Sequence, residues 1–224
     1  MLTDVLFSLV KGLCLGGSIY ALGIVLDHTV SLKSTERILK EKPEHVSLAH
    51  RYISQNLLLI SPLTYVVIDS CCLQHRVVFH FSTYLALLLT QNLGYFFIHR
   101  EFHRNRRLYP IHEFHHRFDK IVSPSIGNAV TNTEFCMAYI APFIVGAFLF
   151  RPTEITFLSA IGTVGLGNMF IHTYELKDLK WVPGLVAPSH HIKHHEVKNK
   201  HYAAPIFDLD AMFEYVVVEK EDSV

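Results

Sequence analysis

Histidine is the residue type whose number and spacing could do chemistry in this chain. There are 16 His among 224 residues, and ten of them fall into short clusters or beside them. The first cluster places His99 and His103 four residues apart. On a helix this spacing puts both rings on one face, so two imidazoles can reach one metal ion without bending the backbone. Neutral imidazole is the commonest metal ligand near neutral pH.

The second cluster, residues 112–116, and the third cluster, residues 190–195, repeat an H-x-x-H-H spacing. The second cluster follows Pro110, a residue typical of helix starts, and ends in the adjacent pair His115 and His116. Neighbouring residues diverge by about 100° on a helix, so this cluster can serve two metals at once. The pattern therefore predicts a binuclear site. The ten predicted metal ligands are His99, His103, His112, His115, His116, His172, His190, His191, His194 and His195.

The ligand chemistry narrows the choice of metal. Imidazoles suit Fe, Zn or Cu rather than Mg or Ca, and the absence of Cys from the clusters argues against a structural zinc module. Carboxylates near the clusters could orient the rings, although a solvated surface position is an equal alternative for each. These acids are Glu101, Glu113, Asp119, Glu134, Glu175 and Glu196. His28, His45, His50, His75, His80 and His201 receive no role.

Composition indicates a membrane protein. Half of the residues are hydrophobic and 18% are charged, against about 25% charged in soluble domains, and no stretch alternates with period two. The net charge of zero gives no reason to expect nucleic acid. We predict one all-α, integral-membrane bundle of about four or five membrane helices with a cytosolic, His-rich di-metal cap. The apolar runs are 5–30, 56–73, 77–98, 134–150 and 153–171.

The basic residues predict the orientation of the bundle. Seventeen of the twenty Lys and Arg lie in residues 31–52, 99–133 and 172–224. Cytoplasmic loops carry such an excess. These three segments also contain every His cluster, so the predicted metal site faces the cytosol.

The order of the motifs resembles the fatty acid hydroxylase superfamily, also called the sterol desaturase family. The segment from Asn92 to Arg100 resembles the family's first His motif, and residues 112–116 resemble its H-x-x-H-H motif. Residues 171–195 look most like the alkylglycerol monooxygenase and bacterial sterol desaturase branch. The similarity covers roughly residues 85–215. It suggests N-terminal membrane helices and a loop over 1–76, a catalytic domain over 77–215, and a tail over 216–224.

The resemblance implies a non-haem di-iron enzyme that hydroxylates or desaturates a lipid. Two Fe²⁺ ions, O₂ and electrons from a separate carrier of the cytochrome b5/reductase or ferredoxin type would be required. Nine of the ten His match the family's ligand motifs, and His190 is an additional candidate in a doubled position that only some branches share. No separate acid or base is implied. In a eukaryote such an enzyme would lie in the endoplasmic reticulum membrane.

Two departures from the family pattern keep a second function open. Asn92 stands where the family has Asp, and in the closing motif only Asp210 and Phe213 are retained. A catalytically degenerate member that binds metal but serves as a membrane scaffold or partner is the alternative. A membrane metal transporter is a third class, but it would place its ligands inside the membrane spans rather than at their ends.

Overall fold

The computed structural model describes residues 2–213 and is 74% helical, with no β-strand within those residues. This confirms the all-α prediction. The helices are α1 (Leu2–Thr29), α2 (Leu32–Glu41), α3 (Pro43–Gln55), α4 (Ser61–Cys71), α5 (Phe81–Arg104), α6 (Tyr109–His112), α7 (Asn132–Glu134), α8 (Ala141–Phe150), α9 (Glu154–Ile171) and α10 (Pro188–Val197).

Two π-helical segments join neighbouring helices into longer rods. Asn56–Ile60 connects α3 to α4, and Phe135–Ile140 connects α7 to α8. In both rods the second residue after the π-segment is a proline, Pro62 or Pro142. Proline has no backbone N–H and its ring clashes with the carbonyl four residues earlier. A locally widened turn just before the proline relieves that clash and keeps the rod continuous.

Three of the described helices are long and apolar enough to cross a membrane: α1, the α7–α8 rod over Asn132–Phe150, and α9. The turn between the last two lies at Arg151, whose φ of 43° is left-handed, and at Pro152. The apolar runs 134–150 and 153–171 therefore form a helical hairpin. The predicted runs 56–73 and 77–98 form most of α4 and α5. The larger number of four or five membrane helices stays a prediction.

The bundle has two polar ends. At one end α1 and α9 begin, and the Lys11 ammonium contacts the Glu154 carboxylate at 2.5 Å. Arg151 lies at the same end, where its guanidinium donates to the carbonyl oxygen of Cys71. The His clusters lie at the opposite end, where α5 and α9 finish. Lys11 and Arg151, two basic residues outside the segments 31–52, 99–133 and 172–224, therefore lie at the end of the bundle away from the His clusters.

Helix α1 lies close against α4 and the π-segment before it. A Cβ added at Gly16 would lie 1.9 Å from the carbonyl oxygen of Leu57, and one at Gly12 would lie 2.7 Å from Cα of Pro62. Only glycine allows backbones to approach this closely. This contact fixes α1 as one wall of an internal cavity that leads toward the His clusters.

Candidate metal centre

The structure gathers nine of the ten predicted ligands into two groups. In each group every member offers a ring nitrogen, and these nitrogens lie within 4.8 Å of one another. The five-His group consists of His99, His103, His112, His116 and His194. The four-His group consists of His115, His172, His191 and His195.

The second and third clusters each contribute to both groups. His115 and His116 are neighbours in the chain, yet they point into different groups because the short helical turn here rotates them apart. On α10, His194 joins the five-His group and His195 the four-His group. The rings of His116 and His195 are 4.9 Å apart between centroids. The groups therefore lie side by side, as a binuclear centre requires.

The spacing of the nitrogens suits metal coordination. Nε2 of His112 lies 3.0 Å from Nε2 of His99 and 2.9 Å from Nε2 of His116. In the other group, Nε2 of His172 lies 2.9 Å from Nε2 of His191 and 3.3 Å from that of His195. A metal that binds nitrogen at about 2.1 Å holds adjacent ligand atoms about 3 Å apart. Both groups have this spacing.

Backbone carbonyls fix which nitrogen of three rings carries the proton. Nδ1–H of His99 donates to Tyr202 at 2.8 Å, that of His172 to Asn168 at 2.7 Å, and that of His194 to Lys200 at 2.8 Å. A carbonyl oxygen can only accept, so in each ring Nε2 is left with its lone pair. The second hydrogen bond of a metal-binding His normally acts in this way.

These lone pairs require a cation. Nε2 of His194 is buried and finds no hydrogen-bond partner among residues 2–213. A buried acceptor without a donor costs about 1–3 kcal/mol, and several of them converge here. A metal ion would satisfy all of them together. The donor set is entirely nitrogen and fits a borderline transition metal such as iron or zinc.

Burial keeps the rings neutral. Removal from water lowers the pKa of His112 and His195 well below the usual range, and the neighbouring His residues lower it further. Burial is also the main cause of the low pKa of His103, about 3, and of His172, about 4. At neutral pH the rings therefore do not need to lose a proton before they bind metal.

Among the six nearby acids, Glu134 is the one that contacts a ligand ring. Nδ1 of His112 donates to Oε1 of Glu134 at 2.6 Å, and both side chains are almost completely buried. Asp119 pairs instead with Lys42, and Glu175 accepts hydrogen bonds from the hydroxyls of Ser31 and Ser34. The remaining three, Glu101, Glu113 and Glu196, are exposed.

His190 lies outside both groups. Its side chain is 47% exposed, and Nδ1 lies 3.4 Å from a carboxylate oxygen of Asp208. Its ring stacks on that of His201 with centroids 4.8 Å apart. His190 lies in the first turn of α10 on a face turned away from the clusters, whereas its neighbour His191 belongs to the four-His group.

Several residues that shape the site do not belong to any of the sequence motifs described above. Asp27, inside the apolar α1, is 3% exposed and accepts hydrogen bonds from the backbone N–H and hydroxyl of Ser125. It thereby fixes the loop that leads to Gly127, which packs on the ring of His172. A charge within an apolar run was the available signal for Asp27. Nothing local in the sequence marks the role of Gly127.

Alanine at position 127 is expected to disrupt the four-His group. The added Cβ would lie 2.3 Å from Cγ of His172, so the buried ring must move and its bond to Asn168 is strained. We expect about 1–3 kcal/mol lower stability and weaker binding of one of two metals. Thermal unfolding and metal analysis measure both. Gly162→Ala is the matched control, because its Cβ would meet no atom within 4 Å. Equal metal content in the two variants would contradict the expectation.

An apolar cavity lies between α1, α4, α8 and α9. Its walls include Leu15, Ile19 and Phe143, and its cluster-side end is formed by Asn128 and Asn168. The carbonyl of Asn168 accepts the hydrogen bond of His172. The cavity therefore ends at a residue, Asn168, that directly contacts the four-His group.

The two departures from the family pattern have structural roles. Asn92 is fully buried; its Nδ2 donates to the Leu88 carbonyl, and its Oδ1 accepts from the N–H groups of Ile206 and Phe207. In the closing segment, a carboxylate oxygen of Asp210 accepts from the N–H of Ala203 at 2.6 Å. Phe213 stacks on Phe96 of α5. Residues 214–224, including the predicted tail, lie outside the described residues.

Comparison with known families adds one finding. Residues 84–215, more than half of the chain, match the model described as fatty acid hydroxylase. This range contains all nine His residues of the two groups. Searches of curated proteins and of solved structures gave no match.

Proposed function

Since the chain belongs to the fatty acid hydroxylase family, we propose that it is a membrane-bound di-iron oxygenase that uses O₂ to hydroxylate or desaturate a lipid. The observation that carries the proposal is the pair of all-His groups, side by side at the end of an apolar cavity. The family implies an oxidoreductase, and the membrane-length helices imply a lipid environment.

The residues around the metal centre would bind the metal ions and exclude water from them. Two iron ions, bound by the five-His and four-His groups, would supply O₂ activation and C–H oxidation. Tyr202, Asn168 and Lys200 orient three of the rings through their carbonyls, and Glu134 orients a fourth. The buried rings and the apolar cavity exclude water from the reacting carbon. The protein's task is then positioning, with no separate acid or base.

The alternative of a degenerate scaffold rests on Asn92 and the altered closing motif. Asn92 holds the backbone at Ile206 and Phe207 through its amide oxygen, a role that an Asp carboxylate would fill in the same way. The change removes a charge and leaves the ligand groups intact. Asp210 and Phe213 also make ordered contacts, with the N–H of Ala203 and the ring of Phe96. These observations favour an active enzyme.

We expect the electrons to come from a separate carrier of the cytochrome b5/reductase or ferredoxin type. The excess of Lys and Arg beside the His clusters favours a cytosolic active site. In a eukaryote we place the protein in the endoplasmic reticulum membrane.

Comparative lipid analysis tests the proposal. Cells expressing the wild-type chain are expected to contain a lipid changed by +16 or −2 mass units, and cells expressing His115→Ala are expected to lack it. His28→Ala, the same change at an exposed His of α1, should retain the product. Metal analysis should give about two iron ions per wild-type chain. Bound metal without any lipid change would support the scaffold and overturn the oxygenase.

A further inference from the structure

We propose that a basic surface around the exposed edge of His103 is the docking site of an acidic protein that carries one electron at a time. Electrons would then enter the centre at the five-His group. The basic surface consists of Arg100, Arg104, Lys198 and Lys200. This deepens the proposed function and rests on it in one respect: the electrons are taken to serve lipid oxidation. Docking itself can be measured without turnover.

His103 is the place where the two His groups reach the surface of the protein. Eight of the nine ligands are buried, and His103 is the one that is partly exposed. It belongs to the last turn of α5. Every member of the four-His group is buried. A carrier that stays outside the protein can therefore contact the five-His group directly at His103, whereas the four-His group offers no such edge.

The ring of Tyr202 lies beside this edge. Its centroid is 5.5 Å from that of His103, 5.8 Å from that of His194 and 6.1 Å from that of His99. Its backbone carbonyl also accepts the hydrogen bond of His99, and its side chain is partly exposed. A carrier that lies on Tyr202 and His103 is therefore separated from the five-His group by a single layer of side chains.

Two Arg of α5 form the first half of the basic surface. Arg100 and Arg104 are four residues apart, so they lie on one face of the helix. Both act on Tyr202: burial raises the pKa of its hydroxyl, and the charges of Arg104 and Arg100 oppose that rise. Residues 99–107 contain four Arg and one acid, Glu101. The end of α5 therefore carries net positive charge beside the exposed edge.

Two Lys that follow α10 form the second half. Burial is the main cause of the pKa of about 3 at His103, and the nearby charge of Lys198 also lowers it. Lys200 is exposed two residues later. The acid of this segment, Glu196, is paired with Lys193 at 2.9 Å. The ammonium groups of Lys198 and Lys200 therefore extend the positive charge from α5 around the edge.

The electron balance of the reaction suits such a surface. Hydroxylation of a C–H bond consumes one O₂, two electrons and two protons and releases one water, and desaturation consumes the same and releases two. A one-electron carrier must therefore dock and leave twice in each turnover. Electron-transfer contacts of this kind are small, below about 1,200 Å², and opposite charges speed their association about 10- to 1,000-fold. Four cations around one aromatic edge favour an acidic carrier and repel a basic one.

Affinity measurements on the full-length, iron-loaded protein in phosphatidylcholine nanodiscs test the docking site. The probes are the oxidised soluble domain of cytochrome b5 and a plant-type ferredoxin, and at least one should bind. Combining Arg104→Glu with Lys198→Glu should weaken that binding about 10- to 100-fold. Raising the salt from 0.1 M to 1 M should weaken wild-type binding as well, because the Debye length falls from about 10 Å to about 3 Å.

Arg51→Glu is the matched control for the charge reversal. Arg51 is exposed on α3, a helix that contributes no residue to either His group, so this variant should bind the carrier as wild type does. Iron content measured on the same samples shows whether the double variant is folded. Equal affinity in the double variant and wild type, salt-independent binding, or no binding of either carrier to wild type would refute the docking site.

Zero-length crosslinking locates the contact without any substitution. A carbodiimide joins Lys amines to carboxylates of the bound carrier, and we expect crosslinks at Lys198 or Lys200. Crosslinks confined to Lys177, which follows the His172 of the four-His group, would overturn the proposal. So would loss of amine labelling at Lys198 and Lys200 in phosphatidylserine nanodiscs without carrier binding, because the surface would then contact anionic lipid.

Reduction of the bound iron by the reduced carrier, measured without O₂, separates the two proposals. The double variant should be reduced about 10- to 100-fold more slowly than wild type, and Arg51→Glu at the wild-type rate. Docking and reduction that behave in this way in a protein that forms no lipid product would leave the docking site standing and refute the oxygenase. A lipid product formed equally by wild type and the double variant would refute the docking site alone.

Discussion

Replacing His194 with alanine is expected to abolish the lipid oxidation and to reduce bound iron from about two ions to about one. His194 belongs to the five-His group, and its ring lies 4.6 Å from that of His99 and 4.6 Å from that of His103 between centroids. Its removal takes away a buried lone pair and leaves a space that water can enter. Loss of an orienting residue alone costs 10–100-fold in metal affinity or activity, so loss of a ligand should cost at least about 100-fold.

His190→Ala is the matched control for this experiment. It is the same substitution on the same helix, and His190 matches the ligand motif in sequence but is 47% exposed and outside both groups. We expect near-normal iron content and activity, measured by metal analysis and product formation. An activity loss as large as that of His194→Ala would show that His190 is a ligand. Full activity in His194→Ala would show that lipid oxidation does not depend on the five-His group.

Much of the site could be predicted from the local spacing of the His residues. Neighbouring positions on a helical turn diverge by about 100°, and this predicted that His115 and His116 would serve different metals. The structure places them in different groups. The alternation of apolar runs with basic, His-rich segments likewise predicted helices with the clusters at one end. These features depend on residues close in the chain, so periodicity alone was sufficient.

The remaining features depend on contacts between distant residues. Gly127 approaches His172 across 45 positions, and Asp27 holds Ser125 across 98. No periodic pattern encodes such pairs. The π-segments were also missed, although Pro62 and Pro142 inside apolar runs were a usable signal. His190 is the opposite case, because its spacing predicts a ligand but α10 turns its side chain outward.

Glu134 is the clearest case in which the structure distinguishes between residues that the sequence left equivalent. Six acids lie near the clusters, and Glu134 is the one among them that is buried and contacts a ligand, His112, at 2.6 Å. It lies in α7 just before the π-segment, and Thr131 caps this helix by accepting from the N–H of Glu134. Helix capping and burial together fix the carboxylate under the His112 ring.

Glu134→Gln is therefore expected to weaken iron binding and turnover about 10- to 100-fold. The amide keeps the size of the side chain, and its oxygen can still accept from His112, but an amide oxygen is a weaker acceptor than a carboxylate oxygen and increases the basicity of the ring less. Iron titration and product formation measure the effect. Glu113→Gln, at an exposed acid next to His112 in the chain, should leave both unchanged. If the two variants behave alike, the contact orients the ring without tuning the metal, and the surrounding His residues alone set the affinity of the five-His group.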